Sequence, residues 1–119
     1  GFVTVSADSS KLGMAIANIV DNGIKYNAAG GNVTVTLSSV SGNAEIKIAD
    51  TGTGIAAGDI PKLFQKFYRG EGIMKKVTEG TGLGLYLAKN IIEGHKGSIR
   101  VESVEGRGTT FFITLPLLP

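Results

Sequence analysis

The chain has 119 residues, which suits one domain, and 42% of them are hydrophobic, enough for a real core. Cysteine is absent, which excludes a disulfide framework and a thiolate zinc site, and the single His95 excludes a histidine-rich metal cluster. No apolar run is long enough to span a membrane as a helix, no basic-then-apolar signal segment opens the chain, and a net charge of +2 gives little electrostatic drive toward nucleic acid.

Residues 2–6 alternate as a short strand. An abrupt start in a strand suggests a piece of something longer. Asp8, Ser9 and Ser10 are each able to cap a helix that begins near Lys11. From Lys11 to Tyr26, Leu12, Ile16, Ile19, Val20 and Ile24 make an apolar stripe at helical spacing. Asn18 and Asn22 share another face, with Lys25 three residues beyond Asn22. Asparagine competes with the helix for backbone bonds. The two amides are therefore either solvated surface groups or carbonyl oxygens turned toward a cation or phosphate. In the second case Lys25 adds positive charge and Tyr26 a ring.

Residues 27–31 end the helix. Asn32–Val40 alternates Val33, Val35 and Leu37 and reads as a strand, Ser41-Gly42-Asn43 as a hairpin turn, and Glu45–Ala49 as the return strand, with Asp50 at its end. Asp50-Thr51-Gly52-Thr53-Gly54-Ile55 is a first glycine box. Asp59 to Phe64 reads as a short helix with Pro61 in its first turn, and Phe64, Phe67 and Tyr68 mainly as a packing unit. Residues 69–79 show no period and read as a loop, either a basic lid over phosphates or an ordinary solvated segment. Gly80-Thr81-Gly82-Leu83-Gly84-Leu85 is a second glycine box and opens a helix through Glu93, with Leu83, Leu87, Ala88, Ile91 and Ile92 on its core face. Gly94-His95-Lys96-Gly97 closes that helix, and His95 reads as structural or solvated. Strands over Ser98–Val104 and Thr109–Leu115 flank a turn at Glu105-Gly106-Arg107-Gly108. Three helices, one of them short, beside about five strands predict an α+β, two-layer sandwich.

The polar parts fit a nucleotide clamp. An ionised Asp50 only accepts, which suits the exocyclic amine of adenine. Gly52 and Gly54 let the backbone approach a base. Gly80, Gly82 and Gly84 offer main-chain N–H groups to phosphate at the positive end of the following helix. Asn22, with Asn18, suits a magnesium ion that keeps most of its waters. The glycines follow neither the Walker loop nor the dinucleotide fingerprint.

In order, Asn18 to Tyr26, Asp50 to Ile55, Phe64 to Arg69, Gly80 to Leu85 and Gly108 to Phe111 resemble the asparagine, first glycine, phenylalanine and second glycine boxes and the closing strand of the sensor histidine kinase ATP-binding domain. Its superfamily includes type II topoisomerases, Hsp90 chaperones and MutL proteins. The resemblance runs over nearly the whole chain and implies a Bergerat-type fold, one domain over residues 1–119, ATP and Mg²⁺ as ligands, and protein-histidine kinase activity. It implies that Asn22 and Asn18 hold magnesium, Lys25 meets phosphate, Tyr26 lies near the nucleotide and Asp50 takes the adenine amine. It further implies that Gly52 and Gly54 line the base pocket and Arg69 begins the lid. Gly80, Thr81, Gly82, Leu83 and Gly84 would meet the phosphates, and Thr109 the adenine side. Asn18, Asn22 and Lys25 are the implied catalytic set.

The hydrolysing relatives carry a glutamate where Asn18 stands, and an amide is no general base. Transfer to a protein acceptor is therefore expected over hydrolysis. The implied acceptor is a histidine on a separate dimerisation domain of the same, homodimeric protein, with a response regulator downstream. The chain itself is expected to be monomeric and cytoplasmic, in a protein that could carry a membrane anchor. His95 is followed by Lys96 and does not resemble the acceptor motif. The chain departs from the family pattern at Gly23 for a common alanine, Ala56 for a frequent proline, His95-Lys96-Gly97 for the usual His-Gly-Gly, and in a short lid. The competing readings are a serine-kinase regulator of sigma-factor partners and a degenerate partner-docking module.

Overall fold

A computed structural model describes residues 5, 7–25, 27, 30–65 and 84–117. Helix α1 spans Ser9–Lys25, strands β1 and β2 span Val33–Val40 and Asn43–Asp50, and a 3₁₀ turn spans Ile60–Lys62. Helix α2 spans Gly84–Gly94, and strands β3 and β4 span Ser98–Val104 and Gly108–Pro116. The four strands order as β1-β2-β4-β3, and all three pairings among them are antiparallel. The two helices pack against one face of this sheet, giving the expected two-layer sandwich. The expected strand at residues 2–6 lies almost wholly outside the described residues.

Each element follows from local chemistry. Asp8 settles the capping question: its Oδ1 accepts the Lys11 N–H at 3.0 Å. That bond holds its carboxyl below the usual carboxylate range. Ser41 (φ 51°) and Gly42 (φ 81°) both take left-handed backbone, so a two-residue turn joins β1 to β2 and pairs Val40 with Asn43. Pro61 is the second residue of the 3₁₀ turn, and Asp59 stands at its cap without a side-chain capping bond.

The core runs between β2, β4 and the helices. Ile19, Ile48, Ile92, Ile113 and Leu115 are its largest fully buried side chains. Two readings of the helical stripes need correction. Ile24 is exposed, because five residues past Ile19 is well over a third of a turn off the buried face; Gly23 continues that face instead, against Val33 and Asp50. On α2, Leu87 is exposed, while Leu85, Ala88 and Ile92 carry the burial. The alternation of β1 does not bury a face either. It is an edge strand, and Val35 and Leu37 remain exposed beyond the helix layer. Phe64 packs edge-on to Phe111, with ring centroids 6.3 Å apart, as a packing residue should. Phe67 and Tyr68 lie outside the described residues.

His95 is structural. Its Nδ1 donates to the Ile91 carbonyl at 2.7 Å, and its Nε2 accepts the Asp8 N–H at 2.9 Å, tying the end of α2 to the start of α1. Beyond it, Gly97 N–H bonds back to the Ile92 carbonyl at 3.0 Å, and Lys96 takes a left-handed φ of 62°. A Cβ is strained there, and the Lys96 side chain is exposed. Lys96→Gly should therefore stabilise the fold by about 1 kcal/mol, read as a higher denaturant midpoint at unchanged slope.

Candidate nucleotide-binding site

The ends of β2 and β4 build the site. Their register sets Asp50 opposite Thr109. Asp50 Oδ1 accepts two backbone N–H groups, from Gly52 at 2.9 Å and from Thr109 at 3.2 Å. Among the described residues no hydrogen bond reaches Oδ2. One oxygen therefore fixes the carboxylate, and the other stays available to a ligand. Partial burial raises the Asp50 pKa above its ordinary value, and the Gly52 and Thr109 N–H groups oppose that shift.

A cleft opens beside this carboxylate, lined by Asn22, Asp50, Gly54, Ile55, Leu85, Thr109 and Phe111. Ile55, Leu85 and Phe111 give it apolar walls that suit a flat ring, and Asn22, Asp50 and Thr109 add polar groups. Four of the expected site residues thus meet in one place: Asn22 from α1, Asp50 from β2, Gly54 from the first glycine box and Thr109 from β4. Gly52 is buried and acts through its N–H on Asp50 rather than by lining the cleft. Asn18 is half-buried one turn before Asn22. Gly84 is the first residue of α2. Tyr26, Arg69, Gly80, Thr81, Gly82 and Leu83 lie outside the described residues, as does the side chain of Lys25.

Two glycines are required by the backbone. Gly54 has φ 71°, and a Cβ there would overlap the Val104 carbonyl oxygen. Gly108 has φ 125°, and a Cβ there would overlap the Asp50 carbonyl oxygen. The first glycine box is thus pressed against the β3–β4 turn as well as the cleft, and Gly106 N–H bonds the Thr53 carbonyl at 2.7 Å.

Sequence reasoning missed several parts. Thr51 joins the box to the segment after α1: its Oγ1 accepts the Asn32 N–H at 2.9 Å and lies 3.3 Å from Asn27 Oδ1. Ser103 bonds both the glycine box and Thr109. The signal for Ser103 was its parity: it follows Ile99 and Val101 on the inward face of β3, where a hydroxyl needs partners.

An acceptor at a strand end, an asparagine on the facing helix and a glycine-bent loop following that strand define a class. The chain belongs to the histidine kinase-, DNA gyrase B-, and HSP90-like ATPase family, whose pattern matches residues 7–119. Within it, the similarity is to sensor histidine kinases, of whose ATP-binding catalytic domain this chain is an example. The sensor-like histidine kinase SenX3 of Mycolicibacterium smegmatis is 40% identical over 97% of this chain and 30% of its own length. The sensor protein SrrB of Staphylococcus aureus is 39% identical over 93% of this chain and 19% of its own. The solved mycobacterial sensor histidine kinase MprB aligns at a TM-score of 0.85 and 34% identity, covering 97% of this chain and 78% of that one. The chain therefore spans less than a third of the length of these two curated relatives. No helix among the described residues is long and apolar enough to cross a membrane.

Proposed function

We propose that the chain binds Mg-ATP and transfers the γ-phosphoryl group to a histidine presented by a separate helical dimerisation domain of the same protein. The observation that carries this is Asp50: one oxygen is locked by two backbone donors, the other accepts no hydrogen bond among the described residues, and the residue lines a largely apolar cleft with Asn22. In this reading Oδ2 accepts the adenine amine, and Ile55, Leu85 and Phe111 sandwich the ring. The amino end of α2, with Gly80, Thr81, Gly82, Leu83 and Gly84, meets the phosphates. Lys25, Tyr26 and Arg69 complete the phosphate side. A full-length relative, ShkA, 27% identical over 98% of this chain, was solved in complex with AMPPNP, an adenine nucleotide, which supports the same use of this fold.

The donor set fits magnesium. No cluster of three or more histidine, cysteine or carboxylate groups exists among the described residues, so a naked ion finds no cage here. Amide oxygens of Asn22 and Asn18 suit an ion that arrives on phosphate oxygens and keeps its waters. Bound there, magnesium would neutralise phosphate charge. The protein's own part is to hold the nucleotide and orient its terminal phosphate, since phosphoryl transfer asks mainly for positioning. Asn18 cannot take a proton from water, which disfavours hydrolysis. His95 is not the acceptor, because both ring nitrogens are already bonded.

On this reading residues 1–119 are one domain of a longer, homodimeric, two-component protein, acting in the cytoplasm with a response regulator downstream. Mixing the chain with the helical domain of its own protein and labelled ATP should give an acid-labile phosphohistidine on that domain. An acid-stable phosphoserine product would point instead to the serine-kinase branch. ATP binding with no transfer at all would contradict the kinase reading. Asn22→Ala should remove the magnesium-dependent part of nucleotide affinity, on the order of tenfold or 1.4 kcal/mol, and leave magnesium-free binding near the wild-type level.

A further inference from the structure

The last turn of α1 carries Asn22, and the last residue of β2 is Asp50. Gly23 brings the two elements together: a Cβ there would stand 3.4 Å from Asp50 Oδ2 and 3.3 Å from Val33 Cγ2. A second contact lies just beyond both elements. Thr51 N–H donates to the Asn32 carbonyl at 3.1 Å, and Asn32 N–H donates back to Thr51 Oγ1 at 2.9 Å. Asn27 Nδ2 also donates to the Asn32 carbonyl, at 3.0 Å, so both lone pairs of that oxygen are in use. The Thr51 hydroxyl, 3.5 Å from the same oxygen, therefore gives its proton to Asn27 Oδ1 at 3.3 Å. Asn27 N–H in turn bonds the Ile24 carbonyl at 3.3 Å, in the last turn of α1. Gly31 leaves room for this arrangement, because a Cβ there would overlap the Asn27 carboxamide.

We propose that Thr51 is a positioning residue, which fixes the span between Asp50 and Asn22 by clasping the exit of α1 to the end of β2. Asp50 and Asn22 line one cleft from different elements, so that span has to be set by something outside the cleft. The Asp50 carboxylate does not depend on the Thr51 side chain, since the Gly52 and Thr109 N–H groups hold it. Removing the Thr51 hydroxyl therefore leaves the acceptor in place and loosens the helix end that brings the amide. The two ends of a nucleotide feel this unequally. The base keeps its partner, while a magnesium ion on the phosphates meets an Asn22 that is held less well. Thr51 is exposed, so water can replace its hydroxyl bonds; what is lost is orientation rather than the fold. The inference rests on the nucleotide-binding reading and deepens it, by naming what couples the base end of the site to its magnesium end.

The test is competition binding of adenosine and of a non-hydrolysable ATP analogue, with and without magnesium, to the wild-type chain, Thr51→Val and Thr51→Ser. Valine keeps the branched shape that suits a strand end and loses the hydroxyl. Thr51→Val should shrink the magnesium-dependent tightening of the ATP analogue by about threefold, and leave adenosine and magnesium-free binding within about twofold of wild type. Thr51→Ser, which keeps the hydroxyl, should restore the tightening. Asn27→Ala should copy Thr51→Val, and the double variant should lose no more than either alone, because both changes break the same clasp. Equal weakening of adenosine and the ATP analogue would make Thr51 a brace of the strand end only and overturn the proposal. An unchanged magnesium effect in Thr51→Val would overturn it as well. If the wild-type chain binds the ATP analogue neither with nor without magnesium, the nucleotide-binding reading itself fails, and this inference with it.

Discussion

Asp50→Asn should abolish adenine-nucleotide recognition while leaving the domain as stable as wild type or more so. An asparagine carbonyl in place of Oδ1 keeps both backbone bonds, from Gly52 and Thr109, so the β2–β4 junction is preserved. The group in place of Oδ2 becomes an NH₂, which meets the adenine amine donor to donor. Affinity for an ATP analogue should fall by at least about 100-fold. A nucleotide with a carbonyl at that ring position, such as an inosine analogue, should lose much less. Stability moves the other way because burial raises the Asp50 pKa. A carboxyl whose folded pKa lies above its unfolded value is penalised when ionised, and that penalty is fully present at neutral pH. It fades as pH falls through the folded pKa, where the wild-type group takes up its proton. The stability advantage of Asp50→Asn should therefore be largest near neutrality and shrink on acidification. Thermal melts across pH read this directly.

Gly108→Ala should be among the most damaging single-methyl changes in the chain. The residue holds φ at 125°, and a methyl there would run into the Asp50 carbonyl oxygen and the Thr51 backbone. Backbone, not a yielding side chain, stands in the way, and it is the backbone that carries Asp50. A cost of about 3 kcal/mol or more is expected, a loss on the order of 10 °C in melting temperature. Gly106 supplies the control two residues earlier. It also has positive φ, 84°, but a Cβ there meets nothing within 4 Å. Gly106→Asn, a residue that tolerates left-handed backbone, should cost about 1 kcal/mol or less. Similar losses at both positions would mean that dihedral strain alone, and not contact with Asp50, sets the penalty at Gly108.

These contrasts show where reading the sequence worked. Hydrophobic period placed α1, α2 and β1–β4 within a few residues, because helical stripes and strand alternation are sequence-local patterns even where, as in β1, the alternating face stays exposed. Asp50, Asn22 and Gly54 were readable from the residues because each sets a polar residue or a glycine at the end, or off the apolar face, of a regular element, whereas Thr109 was implied by the family resemblance alone. Exposure was less readable. Val35 and Leu37 alternate as a buried face would, and only the position of β1 at the sheet edge leaves them open. Ile24 and Leu87 fit a loose helical stripe, yet neighbours that the sequence does not order in space choose Gly23 and Leu85 instead. Thr51 was invisible because its partners, Asn27 and Asn32, are distant in sequence; for Ser103 the parity gave the inward face but not the distant partner, Ile55. Gly54 was read as room for a base, but its missing side chain also admits the Val104 carbonyl. A glycine motif alone does not say which neighbour comes close.

The central claim is that the cleft between Asp50 and Asn22 is a magnesium-assisted ATP site. It is tested most directly by titrating the wild-type chain with a non-hydrolysable ATP analogue, with and without magnesium. Saturable binding at one site per chain, strengthened by magnesium, is the predicted result. No binding by a folded chain would contradict the account, and the clamp would then belong to a partner-docking module rather than a kinase domain.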